Sequence, residues 1–200
     1  MLPLLLAGFA TCLSLIVAIG SQNAFLLQHG LRGGVVAPLV VICAVSDLVL
    51  IGLGVGGIGA VLERWPAAIG GIAIGGGLFL LGYGAVAARR AFRPSVLTVG
   101  EERTPLRKAV LTCVAFTWLN PHVYLDTVLL LGSVAVAHGD GRWLFGLGAG
   151  IASAVWFSAL GFGARKLAGV FAKPMAWRVL DVVIAVTMTG LGVTMLLSRT

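Results

Sequence analysis

Val35-Val36-Ala37-Pro38-Leu39-Val40-Val41-Ile42-Cys43-Ala44-Val45-Ser46-Asp47-Leu48-Val49-Leu50-Ile51-Gly52-Leu53-Gly54-Val55 decides the fold. Its one charged residue is Asp47. A helix rising 1.5 Å per residue needs about 20 apolar residues to cross roughly 30 Å of hydrocarbon, and this run supplies them. It sits in an apolar segment over 35–61. Five more segments of the same kind flank it, over 2–28, 67–88, 109–136, 143–164 and 178–198. None has the alternation of a barrel strand. Composition agrees. Of 200 residues, 59% are hydrophobic and 10% charged, and the mean hydropathy is +1.06. A soluble domain carries about 25% charged residues and needs polar groups to cover its surface. These values exclude an ordinary soluble enzyme, a DNA-binding domain and a disordered chain. They predict an all-α integral membrane protein of six transmembrane helices.

The formal charge is +7. The basic residues lie between apolar blocks, so they read as topology signals and not as a nucleic-acid surface. Arg32, Arg89, Arg90, Arg93, Arg103, Arg107, Lys108, Arg165, Lys166, Lys173 and Arg178 fall on one side. Only Arg64, Arg142 and Arg199 fall on the other. Eleven against three predicts that both termini lie outside. Met1-Leu2-Pro3-Leu4 has no basic stretch ahead of its apolar run, so no cleaved signal peptide is expected. Trp65, Trp143 and Trp177 open spans and read as interfacial anchors. Arg89-Arg90-Ala91-Phe92-Arg93 suits anionic lipid, although topology alone explains it equally well. Cys12, Cys43 and Cys113 lie inside apolar runs without metal spacing, and read as buried thiols.

The long connection carries Pro94, Gly100 and Pro105 and divides the chain. Residues 1–93 form a first three-helix repeat, 94–108 a cytoplasmic linker and 109–200 a second repeat. Ser46-Asp47-Leu48-Val49 lies over Ser153-Ala154-Val155-Trp156, and Ser21-Gln22-Asn23 over Pro121-His122-Val123 at nearly the same offset. Three spans per half insert the halves with opposite orientation, as in many secondary transporters whose site lies at the repeat interface. The small-residue spacings Gly52…Gly56, Gly71…Gly75 and Gly146…Gly150 allow close helix approach. They read as packing within the bundle ahead of a homo-oligomer contact.

Only Asp47 and Asp126 lie well inside spans, each at a cost of about 2.5–3.5 kcal/mol at a helix centre, and neither has an intramembrane Lys or Arg as partner. Such an acid is a functional-site hypothesis by default. Asp181 follows Arg178 by three residues near a helix start and reads as a surface pair. A second cluster is Thr117-Trp118-Leu119-Asn120-Pro121-His122-Val123-Tyr124-Leu125-Asp126. Pro121 removes a backbone donor and clashes with the carbonyl four residues back, so it predicts a helix break. Such a break survives in a membrane only inside protein or facing a watery cavity. Asn120, Tyr124 and Asp126 present polar groups there, and Gly20-Ser21-Gln22-Asn23 is the corresponding weak point of the first half.

These stretches, with Ile19-Gly20-Ser21-Gln22-Asn23-Ala24-Phe25, Arg142-Trp143-Leu144-Phe145 and Val155-Trp156-Phe157, resemble the LysE/ArgO family of basic amino-acid exporters over nearly the whole chain. The family usually has proline where this chain has Ser21. The resemblance implies a multi-pass protein of the bacterial cytoplasmic membrane, set in the lipid bilayer, that exports L-lysine or L-arginine driven by an inward ion gradient. Substrate binding is then expected at Gln22, Asn23, Asp47, Asn120 and Tyr124. Helix breaks are expected at Ser21 and Pro121, and ion coupling, with a proton as the coupling ion, at Asp47 and Asp126. No cofactor, resident metal or enzymatic activity is expected. The alternative is an exporter of neutral amino acids or a metal cation on the same fold.

Overall fold

The computed structural model describes residues 1–17, 20–32, 35–58, 66–92, 105–167 and 174–197, and among them it is helical without strands. The helices are α1 (Leu2–Ile16), α2 (Ser21–Leu31), α3 (Ala37–Val55), α4 (Pro66–Phe92), α5 (Leu106–Trp118), α6 (121–137), α7 (Arg142–Gly163) and α8 (Pro174–Leu197). Within α6, Pro121–Val123 is α-helical, Tyr124–Leu131 has the wider π-helical winding, and Gly132–Ala137 is α-helical again. Trp65, Arg93 and nearly all of the linker lie outside the described residues.

Ala37–Val55, Gly139–Lys166 and Met175–Leu197 are each long and apolar enough to cross a membrane. Leu2–Ile16 and Ser21–Leu31 together would make a fourth such span, bent by 80°. Large apolar side chains face outward along these helices, among them Leu6, Val41, Val45, Leu147, Ile151 and Val186. Water would oppose such a surface, whereas lipid accepts it.

The first and fourth apolar segments of the sequence are therefore each two helices. α1 ends at Ile16 and α2 starts at Ser21; α5 ends at Trp118 and α6 starts at Pro121. α1 packs along α7, α4 along α8, and α3 lies against α7 and α6. Two apolar clusters form the core. One gathers Phe25, Leu39, Leu80, Phe116, Phe157 and Met188, and the other Ile51, Val55, Leu131 and Phe145.

Glycine spacing sets the helix approach, in a register different from the expected one. A Cβ at Gly52 or Gly75 would meet nothing within 4 Å, and one at Gly146 or Gly150 would meet only the side chains of Val55 or Leu48. The backbone contacts lie elsewhere. A Cβ at Gly8 would run into the Phe145 carbonyl, and one at Gly148 into the Leu5 carbonyl, so this pair closes the α1–α7 crossing. Gly54 and Gly132 face each other across α3 and α6 in the same way. Spacing alone marks a small face, but the facing carbonyl decides where only hydrogen fits.

Asp181 corrects a second expectation. It is 4% exposed and does not pair with Arg178. Gln28 Nε2 donates to its Oδ1 at 3.0 Å, and Arg90 Nε lies 3.5 Å from the same oxygen. Tyr83 donates to Gln28 Oε1 at 3.3 Å. Arg178 Nε instead donates to the Ala91 carbonyl at 2.9 Å, satisfying an acceptor at the end of α4. The i, i+3 spacing places Arg178 and Asp181 on one helix face, but α4 packs against that face and separates them. This cluster fastens the C-terminal ends of α2 and α4 to the start of α8. The three cysteines are free and buried, with the sulfurs of Cys43 and Cys113 3.4 Å apart.

Candidate functional site

Both helix breaks open onto one cavity of about 300 Å³. Gly20, Ser21, Gln22 and Asn23 line it from the first break, and Asn120, His122, Asp126 and Thr127 from the second. Asp47 contributes from α3, Phe157 from α7, and Thr187 and Leu191 from α8. Cys12 and Leu131 of one apolar cluster, and Phe157 of the other, also reach it, so the cavity lies between the two clusters. The size is at the lower end of the range for small-molecule pockets, about 300–1,000 Å³.

Asp47 is 3% exposed, and Ser153 Oγ donates to its Oδ2 at 2.9 Å. Ser153 is fully buried on α7. A charge-assisted bond of this kind fixes one carboxylate oxygen. Among the described residues no Lys or Arg lines the cavity. Ser153 was not singled out in the sequence as an Asp47 partner. The halves' alignment set it over Ser46, and only the fold turns it toward Asp47. Ser46 itself accepts a bond from Trp118 Nε1 at 3.2 Å.

The four side-chain amides and phenols expected to bind substrate divide into two groups. Asn23 Nδ2 donates to the Ile16 carbonyl at 2.6 Å, while Trp156 Nε1 donates to Asn23 Oδ1 at 3.2 Å. Asn23 thus ties the end of α1 to α2 and α7. Asn120 Oδ1 accepts from the His122 backbone N–H at 3.2 Å, and its Nδ2 lies 3.5 Å from Ser21 Oγ. Asn120 therefore caps α6, as an N-cap residue does, and reaches across to the first break. Tyr124 does not line the cavity; its hydroxyl donates to the Trp118 carbonyl at 2.8 Å, one of the acceptors freed where α5 ends. Thr117 Oγ1 donates to the Cys113 carbonyl at 3.2 Å. Asn23, Asn120 and Tyr124 hold the breaks in shape.

Gln22 differs. It lines the cavity, is 7% exposed, and its Nε2 makes no hydrogen bond although the Cys43 thiol lies beside it. A buried donor without a partner costs about 1–3 kcal/mol and asks for an explanation. α2 starts after an extended Gly20, and no side chain caps it. Its first-turn N–H groups therefore have no intrahelical acceptor and point along the positive end of the helix dipole. Asp126, half-buried and four residues after His122, also lines the cavity. Between Asp47 and Asp126 on one hand and the α2 start on the other, the cavity offers both acidic and electropositive walls to one small molecule.

The family profile described as LysE type translocator matches residues 13–199. A provisionally named amino-acid transporter of Mycobacterium tuberculosis is 47% identical over 187 residues, covering 93% of each chain. The arginine exporter protein ArgO of Serratia proteamaculans is 42% identical over 194 residues, covering 96% of this chain and 95% of its own. The lysine exporter LysE of Corynebacterium diphtheriae is 35% identical over 214 residues, covering 92% and 94%. No solved structure matches. The matched stretch contains Asp47, both breaks and every other residue that lines the cavity except Cys12, and it bears out the family resemblance seen in the motifs. The chain belongs to the LysE family of translocators.

Proposed function

We propose that the protein is a secondary exporter of basic L-amino acids, lysine or arginine, in the bacterial cytoplasmic membrane. The observation that carries this reading is a buried acid, Asp47, on the wall of a small cavity built where two broken helices meet, with no Lys or Arg among the described residues of that wall. A carboxylate kept away from water needs a proton or a cation, and a basic amino acid supplies the cation. Relatives named as lysine and arginine exporters support the substrate.

The architecture is six spans in two inverted repeats, over 1–93 and 109–200. The likeness of the two breaks supports it: each half opens with an interrupted helix, and both interruptions line one cavity, as expected for a site at a repeat interface. Both termini lie outside and the 94–108 linker in the cytoplasm, on the distribution of Lys and Arg.

Export of a cation from a negative interior costs about 2.3 kcal/mol per charge at 100 mV, so a uniporter would accumulate substrate inside. Exchange for an incoming proton cancels that charge, and Asp47 and Asp126 are the carriers. A carboxyl that holds either a proton or a cationic substrate, but not both, performs the exchange. Proteoliposomes loaded with labelled lysine or arginine test the proposal. An inward proton gradient should accelerate efflux, and Asp47→Asn should abolish the acceleration. Efflux that follows sodium and ignores protons transfers the coupling to sodium. Efflux indifferent to every ion gradient and to voltage refutes the exporter mechanism.

A further inference from the structure

We infer that the start of α2, together with Gln22, is a carboxylate subsite, and that it restricts the cavity to molecules carrying an α-carboxylate. This rests on the reading of the cavity as an amino-acid site. Two observations meet there. The 11-residue α2 begins at the cavity wall with no side chain capping it, so the N–H groups of Ser21 and Gln22 at its start have no acceptor within the helix. The Gln22 side chain, more than nine-tenths buried on the same wall, holds a donor nitrogen with no acceptor. Backbone donors and a side-chain donor side by side fit an anion with two oxygens.

The second break shows why the anion belongs at the first. The α6 start is already closed, because Asn120 Oδ1 accepts from the His122 N–H. Asn120 and Asn23 spend their amides on the backbone, on Ser21 and on Trp156, whereas Gln22 does not. Asp47 and Asp126 line the same cavity from α3 and α6. A basic amino acid would therefore lie across the cavity, with its carboxylate at α2 and a cationic group toward Asp47. Decarboxylated amines of the same length have the cation but leave the α2 donors and Gln22 empty, which a site built from buried donors penalises heavily.

The test is competition against labelled lysine counterflow in proteoliposomes of the full chain, with lysine, norleucine and the diamine cadaverine as competitors. Loss of a hydrogen bond to a charged group weakens binding about tenfold to a hundredfold. Cadaverine is expected to compete at least about a hundredfold more weakly than lysine, because it loses several such bonds. Gln22→Leu should weaken lysine about tenfold and leave cadaverine unchanged, which also reports a folded site. Gln22→Glu, close in shape, should reject lysine while cadaverine holds or improves. Equal competition by cadaverine and lysine on the unaltered protein overturns the inference, as does an equal loss for both with Gln22→Leu. Where lysine and arginine fail to exchange, labelled norleucine replaces lysine. Norleucine exchange weakened by Gln22→Leu refutes the basic-substrate reading and upholds the subsite. Absence of exchange for every amino acid refutes both.

Discussion

Asp47→Asn separates the acid's role in function from its role in the fold. The change keeps shape and removes charge. Two opposing quantities set its effect on stability. The bond from Ser153 to the carboxylate, at 2.9 Å, is worth about 1.5–3 kcal/mol as a bond to a charged acceptor. An ionised acid at the middle of a span costs about 2.5–3.5 kcal/mol on the insertion scale. The asparagine keeps an oxygen to accept from Ser153 and escapes the cost of the charge. Stability should therefore change by no more than about 1 kcal/mol, which for a chain of this length moves Tm by about 2–4 °C. Transport has no such compensation. A cation that loses its only fully buried counter-charge in the cavity should bind at least about tenfold to a hundredfold more weakly. The assays are thermal unfolding of the purified protein in detergent and lysine counterflow on the same preparation. Near-normal counterflow would refute a cation-binding role for Asp47. A fall in Tm of more than about 10 °C would refute the energy balance and show that the carboxylate holds α3 to α7.

Gly148→Ala should destabilise the protein by about 1–3 kcal/mol or more, because the new methyl meets the Leu5 backbone. Gly52→Ala, where nothing lies within 4 Å, should be neutral or stabilising by up to about 1 kcal/mol through helix propensity, and paired unfolding curves compare the two. Asp181→Ala should lower stability by about 1–3 kcal/mol, since Gln28 Nε2 loses its acceptor, whereas Arg178→Ala should cost less. Cysteines placed at 97 and 200 in a cysteine-free background should differ in labelling by an impermeant outside reagent. Position 200 should label in intact cells and position 97 only after lysis; the reverse pattern overturns the topology.

Much of this was legible from the chain because membrane helices are written in runs. The apolar segments 35–61, 67–88, 143–164 and 178–198 correspond to Ala37–Val55, Pro66–Phe92, Arg142–Gly163 and Pro174–Leu197, since a lipid-facing helix has no polar face to confuse its ends. Pro121 announced its break by removing a backbone donor. The break before Ser21 was harder to see, because no proline marks it. There α1 ends at Ile16, α2 starts after an extended Gly20, and Asn23 Nδ2 takes the Ile16 carbonyl that the break sets free. What composition could not reveal was pairing. Ser153 stands 106 residues from Asp47 and Asp181 stands 153 from Gln28, and neither separation has a local signature. The glycine pattern was legible only in part: Gly146 and Gly150 do pack against α3, at Val55 and Leu48, but the carbonyls that Gly8 and Gly148 meet belong to another helix and have no local signature.

The polar residues around the breaks carry the sharper lesson. Hydropathy marks Gln22, Asn23, Asn120 and Tyr124 alike as misplaced in lipid, and so they all read as ligands for substrate. A helix that stops inside a membrane, however, first has to satisfy its own carbonyls and N–H groups, and these residues are the closest donors and acceptors available. Three of the four are consumed by that need: Asn23 at Ile16, Tyr124 at Trp118 and Asn120 at His122. On the proposed reading, the groups that repair nothing are the remainder left for a guest. Gln22, which repairs nothing, and Asp47, which has Ser153 on one oxygen and a cavity before it, are that remainder. On that reading, the polar residues at a broken helix include those needed to build the break, and the groups left over point to the proposed substrate: donors for an anion and an acid for a cation.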